Sequence, residues 1–197
     1  LGDVYKRQQF ITNSGTEITR FVTVTAVTGT KEDGRKEIST IIVPNGTPGF
    51  TVEPAYDKVG WNASDTHPLT FENVRVPEAN LLGERGRGYA NFLSILDEGR
   101  IAIAALATGA AQGCVDESVK YAKERESFGQ PIGKNQAISF KIARMEARAH
   151  TARCAYYHAA SLMLAGKPFK KEAAIAKLVA SEAVSYTHLT LPTTPYV

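Results

Sequence analysis

The spacing of apolar residues changes once along the chain, from alternation to a helical period. Between Phe10 and Val76 four segments have the alternating or β-branched composition of strands: Arg20–Val27, Lys36–Val43, Phe50–Val52 and Leu69–Val76. The first two flank a turn at Gly29–Gly34, as in an antiparallel hairpin. Gly and Pro breaks separate the others. This part of the chain is predicted to be a small antiparallel β domain.

From about Tyr89 onward the pattern is helical. One helix is predicted from Tyr89 to about Lys123, and a second carries apolar or small residues four and three apart from Ile138 to Met163. The second helix should end at Gly166, where glycine suits a left-handed cap. A third begins near Lys170. Short connectors predict an antiparallel bundle, so the fold class is α+β and multidomain: a partial antiparallel β-barrel or sandwich followed by an incomplete helical bundle.

Composition narrows the functional classes. The 197 residues are 43% hydrophobic with a formal charge of +3, typical of a soluble globular protein and without the basic excess of a nucleic-acid binder. The apolar run Ile101–Ala111 is too short to span a membrane, and no signal segment is evident. Cys114 and Cys154 have neither paired spacing nor nearby histidines, which predicts no disulfide framework and no metal site. A cytoplasmic location is expected.

Both ends of the chain are predicted to be foreign. One choice of codons for Val184–Leu189 has a reverse complement that encodes Asp3–Arg7, as expected of translated sequencing-adapter DNA. The predicted organisation is therefore a foreign segment at 1–8, a β domain at 9–77, a connector at 78–88, bundle helices at 89–183 and a second foreign segment at 184–197.

The segment Arg125–Gln136, between the first two helices, has the chemistry of a phosphate cradle. It combines Arg125 and Ser127 at the end of one helix, a Gly/Pro corner, and the amides of Asn135 and Gln136 at the start of the next. Arginine and amide donors suit the phosphates of a dinucleotide. The alternative is that Arg125 is a solvated cation at a helix C-terminus, where the helix dipole also favours it.

A second motif, Leu96–Arg100, lies inside the first helix. Glycine in a helix costs about 1 kcal/mol relative to alanine, so Gly99 calls for a reason, and close approach of a ligand is one candidate. Asp97 and Arg100 are three residues apart and share a face. They form either an intrahelical ion pair or part of a binding site.

Taken in series, the motifs resemble those of the acyl-CoA dehydrogenases. Within that family they most resemble the motifs of short-chain-like bacterial members, including actinobacterial ones. The matching segments cover residues 9–183 in order and spacing: Phe10–Asn13, Gly60–Trp61, Ser64–Thr66, Phe71–Pro77, Leu81–Gly83, Leu96–Arg100, Arg125–Gly129 and Gln136–Phe140.

The resemblance implies FAD as cofactor and assigns residues to it and to the substrate. Phe10, Ile11 and Thr12 resemble the segment against the flavin ring, although alone they are more typical of the start of a buried strand. The pyrophosphate and adenine side of FAD is implied to contact Arg125, Ser127, Phe128, Asn135 and Gln136. In this family these contacts come from a neighbouring subunit, which implies a homo-oligomer, usually a tetramer. Asp97 and Arg100 resemble a pair that lies against acyl-CoA.

The implied reaction is oxidation of a fatty acyl-CoA to trans-2-enoyl-CoA, with electrons passed to an electron-transfer flavoprotein. Most members use a late glutamate as base, and a minority place it where this chain has Gly99. We therefore assign no catalytic residue to these 197 residues and expect the chain alone to be inactive. An acyl-CoA oxidase, a flavin monooxygenase of the same fold and a non-catalytic helical-bundle scaffold subunit stay open as alternatives, as does the acyl chain length.

Overall fold

The computed structural model describes residues 9–11, 19–64 and 66–189, with side chains described within 19–64 and 66–186. The chain divides into two compact units, residues 1–93 and 94–197. The first holds the two three-stranded sheets, and the second holds most of the helical residues and a two-stranded hairpin.

The first unit contains two small antiparallel sheets. In one, β2 (Phe21–Thr30) pairs with β3 (Lys36–Pro44), which also pairs with the short β6 (Leu81–Leu82). In the other, β5 (Thr66–Phe71) lies between β1 (Gln9–Ile11) and β4 (Phe50–Val52). The predicted hairpin is confirmed, and neither sheet closes into a barrel within the described residues.

Apolar side chains from both sheets form one core. Val22 and Val43 of the first sheet and Leu69 of the second are all buried. On the second sheet the rings of Phe50 and Phe71 stack with their centroids 4.9 Å apart. The β domain is therefore the sandwich-like variant of the predicted fold.

The predicted strand Leu69–Val76 is wrong in its second half. β5 ends at Phe71, and Asn73 has a left-handed φ of 52°. A left-handed residue cannot continue a strand, and Asn tolerates this conformation better than most residues. The alternating pattern continues past this point only because Val74 and Val76 pack against the same core from an irregular segment.

The connector before the first helix is fastened to the hairpin. The Ser39 hydroxyl is fully buried, accepts a hydrogen bond from the Gly86 amide at 2.9 Å and lies 2.6 Å from the Thr28 hydroxyl. A Cβ added to Gly88 would lie 2.5 Å from the Ser39 carbonyl carbon and 2.7 Å from the Thr40 amide nitrogen. Only glycine allows this approach without displacement of the backbone.

The helices are α1 (Gly88–Glu124), α2 (Gln136–Leu164) and α3 (Lys170–Leu189). Gly166 has a φ of 65°, so the predicted left-handed cap after the second helix is confirmed. The core of this bundle is built mainly from fully buried alanines: Ala104, Ala152, Ala159, Ala173, Ala176 and Ala180. Within the described residues no helix is both long and apolar enough to cross a membrane.

The third helix begins at Lys170, as predicted, and continues beyond Ala183 to Leu189, within the segment predicted to be foreign. Residues 184–189 include no glycine or proline that would end it. The Arg148 guanidinium lies over the Tyr186 ring, 3.3 Å from its centroid, and attaches this last part to α2. The foreign origin of the segment stays a prediction.

Candidate cofactor and substrate site

The corner between α1 and α2 is a miniature hairpin. β7 (Glu126–Ser127) pairs with β8 (Gln130–Pro131), and Phe128 and Gly129 form the turn with φ of 54° and 75°. Two consecutive left-handed residues define a type I′ turn, which favours Asn-Gly and not phenylalanine. A left-handed residue with a side chain costs roughly 1–2 kcal/mol.

The corner is held firmly against the end of α1. The Arg125 amide donates to the Tyr121 carbonyl, and the Ile132 amide donates to the Arg125 carbonyl, both at 2.8 Å. The turn Ile132–Lys134 passes so close to the helix that a Cβ on Gly133 would lie 3.0 Å from the Ala122 carbonyl oxygen. The backbone that presents the corner's side chains is therefore fixed.

Side chains on this fixed backbone are directed away from the fold. Phe128 is 100% exposed, Arg125 is exposed and Ser127 is half-buried. Within the described part of the chain none of these three side chains has a hydrogen-bond or ion-pair partner. A strained turn that exposes an aromatic ring gains nothing from the chain's own packing, which points to a role in binding.

The start of α2 adds two amides. Asn135 occupies the N-cap position, but its side chain makes no capping hydrogen bond, and Gln136 is exposed. Capping is the usual function of Asn at this position, so an uncommitted amide is available for another partner. Residues 123–136 carry three cationic side chains and two carboxylates. Together these groups form a donor-rich, slightly cationic surface suited to a phosphate-containing ligand.

The second motif lies on α1. Arg100 donates from Nη1 to Asp97 Oδ1, and the two side chains are 37% and 17% exposed. The predicted shared face is confirmed, and so is the ion pair. The remaining guanidinium N–H groups have no described partner, so Asp97 orients an arginine that can still bind a ligand.

Gly99, between these two residues, faces open space. A Cβ added there would meet none of the described atoms within 4 Å apart from its chain neighbours and the backbone of its own helix. Large apolar side chains on the same helix are exposed nearby, including Leu96, Ile103 and Leu106. The motif thus combines a charged group, an accessible backbone segment at Gly99 and an exposed apolar surface.

Comparison with known proteins identifies the architecture. Residues 86–189 match the model of the acyl-CoA dehydrogenase C-terminal domain, and residues 5–74 match that of the acyl-CoA dehydrogenase middle domain. The chain belongs to the acyl-CoA dehydrogenase family. This is a family of flavin-dependent oxidoreductases, so the predicted enzyme class is confirmed at that level.

Individual members of the family are similar over most of the chain. A probable acyl-CoA dehydrogenase of Bacillus subtilis is 52% identical over 173 residues, which is 88% of this chain and 45% of that protein. Butyryl-CoA dehydrogenase of Megasphaera elsdenii superposes with a TM-score of 0.83 at 41% identity, covering 92% of this chain and 47% of the other. A chain in the structure of the electron-transferring flavoprotein of Acidaminococcus fermentans superposes equally well, at 40% identity and with the same coverage. The chain spans about half the length of the relatives that it matches.

The three residues predicted to lie against the flavin ring are not placed with the other predicted cofactor contacts. Phe10 and Ile11 lie in β1, where they pair with His67 and Thr66 of β5, and only their backbone is described. Thr12 lies outside the described residues. The structure therefore brings Arg125, Ser127, Phe128, Asn135 and Gln136 together at one corner, and the predicted contact with the flavin ring stays a prediction.

One pair of reactive side chains was missed by the sequence analysis. Cys154 does have a nearby histidine, because its Sγ lies 3.6 Å from His150 Nε2 on the exposed side of α2. The statement that neither cysteine has a nearby histidine is wrong. The available signal was the four-residue spacing, which places two helical side chains on adjacent turns of one face.

Proposed function

We propose that the intact protein is an FAD-dependent acyl-CoA dehydrogenase that oxidises a fatty acyl-CoA to trans-2-enoyl-CoA. The observation that carries this proposal is the corner at Arg125–Gln136, where a strained and fully exposed Phe128 stands beside an unpaired arginine and two uncommitted amides. The similarity to butyryl-CoA dehydrogenase of Megasphaera elsdenii supports the reaction class.

The residues present fit FAD in charge and in hydrogen-bonding capacity. Arg125 would bind the pyrophosphate through charge-assisted hydrogen bonds, with Ser127 as an additional donor. Phe128 offers a ring for stacking on the adenine, and the amides of Asn135 and Gln136 extend the contact. The chemistry that FAD supplies when bound is acceptance of a hydride from the acyl β-carbon.

These contacts are proposed to reach the flavin of a neighbouring subunit. Arg125 and Phe128 are directed away from their own fold and have no partner within its described residues. In a homotetramer these two side chains contact the flavin of the neighbouring subunit, and flavin binding therefore depends on assembly. Phe10, Ile11 and Thr12 are proposed to line the flavin ring within the middle domain.

Asp97 and Arg100 are proposed to bind acyl-CoA near its thioester. Asp97 accepts one guanidinium N–H and thereby fixes Arg100, whose other N–H groups donate to the ligand. The second carboxylate oxygen of Asp97 can accept a hydrogen bond from the pantetheine arm. The bare backbone at Gly99 lets the ligand approach the helix closely.

The base that removes the α-proton is proposed to lie outside these residues. The position directly before Arg100 is Gly99, and Glu98 is rotated by about 100° around the helix axis and is exposed. We therefore propose that a carboxylate elsewhere in the intact protein takes the proton and that the present chain does not turn over substrate. Transfer of electrons to an electron-transfer flavoprotein is supported by the similarity to a chain in the Acidaminococcus fermentans structure.

The decisive test is Arg125→Ala in the intact protein, with Lys123→Ala as a matched exposed cation two positions away. Loss of a hydrogen bond between charged groups costs about 1.5–3 kcal/mol, so FAD affinity should fall about 10- to 150-fold. Lys123→Ala should retain FAD, and the melting temperature of both apoproteins should be unchanged. Equal flavin affinity in both variants would contradict the assigned role.

A second experiment tests the reaction itself. The intact protein should reduce an artificial electron acceptor when supplied with butyryl-CoA, and Arg100→Met should lower kcat/KM without loss of bound flavin. Rapid consumption of oxygen in place of acceptor reduction would indicate an acyl-CoA oxidase or a monooxygenase. An intact protein that purifies without flavin and binds none would indicate a scaffold subunit. Turnover of butyryl-CoA by the present chain would contradict the placement of the base.

The domain boundaries and the cellular location are also proposals. We place the end of the β domain at residue 77, the bundle at 89–183 and foreign sequence at 1–8 and 184–197. The DNA that surrounds the coding segment tests these ends directly. A cytoplasmic location is supported by the two free cysteines, and fractionation of cells that express the intact protein tests it.

A further inference from the structure

His150 and Cys154 form a pair of soft metal ligands on the surface of α2. Both residues are exposed, and the Cys154 Sγ is 3.6 Å from the His150 Nε2. Helical geometry holds them on adjacent turns of α2, whose other face packs into the bundle, since the intervening Ala152 and the preceding Ala149 are both fully buried. The pair is thus preorganised by the bundle and open to solvent.

The separation of the two ligand atoms matches the requirement of a metal ion. Zinc binds thiolate sulfur at about 2.3 Å and imidazole nitrogen at about 2.0–2.1 Å in tetrahedral geometry. These bond lengths place the two ligand atoms about 3.5 Å apart across the tetrahedral angle. The pair therefore needs almost no movement to hold a zinc ion between its two ligand atoms.

We propose that His150 and Cys154 bind one Zn²⁺ ion as a two-ligand chelate, a site independent of the proposed flavin and substrate contacts. Binding releases the thiol proton of Cys154 to solvent as the sulfur becomes a thiolate. The His150 imidazole coordinates in its neutral form through Nε2.

The coordination that the chain supplies is incomplete. Within the described residues no group of three histidine, cysteine or carboxylate side chains is close enough to hold one ion. His158 lies on the next turn beyond Cys154, and its side chain is exposed. Water completes the coordination, so the ion exchanges readily and does not contribute to folding as a four-ligand structural zinc does.

The test uses the present chain without an affinity tag. Zn²⁺ is titrated calorimetrically, and Co²⁺ is titrated separately because a cobalt–thiolate bond gives a charge-transfer absorption that reports the sulfur ligand. We expect a stoichiometry of one ion and a thiolate band. Loss of the second ligand from a preorganised pair should weaken binding about a hundredfold, so His150→Asn and Cys154→Ser should each do so.

Two matched variants control for adventitious binding. Cys114→Ser removes the other thiol, and His158→Asn removes another exposed histidine of the same helix; both should retain wild-type affinity. Circular dichroism verifies that every variant is folded, since the substituted side chains at 150 and 154 are exposed. The proposal is overturned if wild-type chain gives no thiolate band, if His150→Asn binds as tightly as wild type, or if Cys114→Ser abolishes the band.

Discussion

Substitution of Gly99 by alanine should make the fold more stable and the intact enzyme less effective. Gly99 lies inside α1, and an added Cβ would have no described atom within 4 Å apart from its chain neighbours and the backbone of its own helix. Alanine is favoured over glycine in a helix interior by about 1 kcal/mol. With no collision to oppose this gain, Gly99→Ala should raise the free energy of unfolding by about that amount.

Gly88→Ala provides the contrast at the first residue of the same helix. There the added Cβ would lie 2.5–2.8 Å from backbone atoms of Ser39 and Thr40. Backbone atoms in a paired strand cannot move aside cheaply, so the cost should approach about 3 kcal/mol, the upper end for overpacked sites. The same chemical change is thus expected to have opposite effects at two positions of one helix.

Urea denaturation separates the two effects. Far-ultraviolet circular dichroism follows the helical unit, and fluorescence of Trp61, the sole tryptophan, follows the β unit. With a denaturant slope of about 2 kcal/mol/M, Gly99→Ala should move the helical midpoint up by about 0.5 M. Gly88→Ala should move the fluorescence midpoint down by a larger amount. A lower helical midpoint for Gly99→Ala would refute the inference that the space above this glycine is open.

The functional half of this prediction concerns the intact protein. If glycine is retained at position 99 because acyl-CoA approaches the helix backbone, the alanine variant should bind FAD normally but show a higher KM for acyl-CoA. A stabilised variant with unchanged kinetics would show that the substrate does not use this space.

Three further predictions concern the turn and the β unit. Phe128→Asn supplies the residue that a type I′ turn favours, so it should raise the melting temperature by a few degrees; an unchanged or lower value would show that the turn is not strained. Chiefly through a hydrogen bond from Arg85, the pKa of the Glu37 carboxyl is held below its ordinary value of 4.5. That stabilisation is present above pH 4.5 and is lost as the pH falls through the lowered pKa. The Arg85→Gln variant should therefore lose less stability on acidification than the wild type. If the urea midpoints of the two proteins fell in parallel with pH, Arg85 would not be the cause of the lowered pKa. Gly46 and Gly49 have similar φ of 79° and 84°, but only at Gly49 would a Cβ collide, 2.0 Å from a backbone oxygen. Gly46→Ala should therefore cost about 1–2 kcal/mol, and Gly49→Ala should prevent folding of the β unit; equal losses in urea denaturation would argue against the collision.

Local patterns predicted much of the secondary structure because they depend on short-range physics. The Arg20–Val27 and Lys36–Val43 segments form the expected hairpin, and the second helix ends at the expected left-handed Gly166. The pattern failed at Val74 and Val76, where apolar residues alternate but Asn73 turns the backbone out of the strand. Alternation reports burial, and an irregular segment can bury side chains as well as a strand can.

The candidate site likewise has features that local sequence predicted and features that it did not. Motif order and spacing identified Arg125, Ser127, Asn135 and Gln136 as candidates and predicted that Asp97 and Arg100 share a face. The residue types available for chemistry, and the family to which they point, were therefore determined by the sequence alone. The four-residue spacing of His150 and Cys154 also predicts that they lie side by side on a helix, although this pair was not recognised from the sequence.

Only the tertiary structure decided how these residues are presented. The left-handed conformation and full exposure of Phe128, the absence of a described partner for Arg125 and the open space above Gly99 depend on which backbone and side-chain atoms approach them. The approach of Cys154 to His150 differs, because it joins residues four apart on one helix and follows from local spacing. The exposure of Phe128 and the space above Gly99 depend on the packing of residues far apart in the chain, and a local pattern of apolar and polar positions carries no information about that packing.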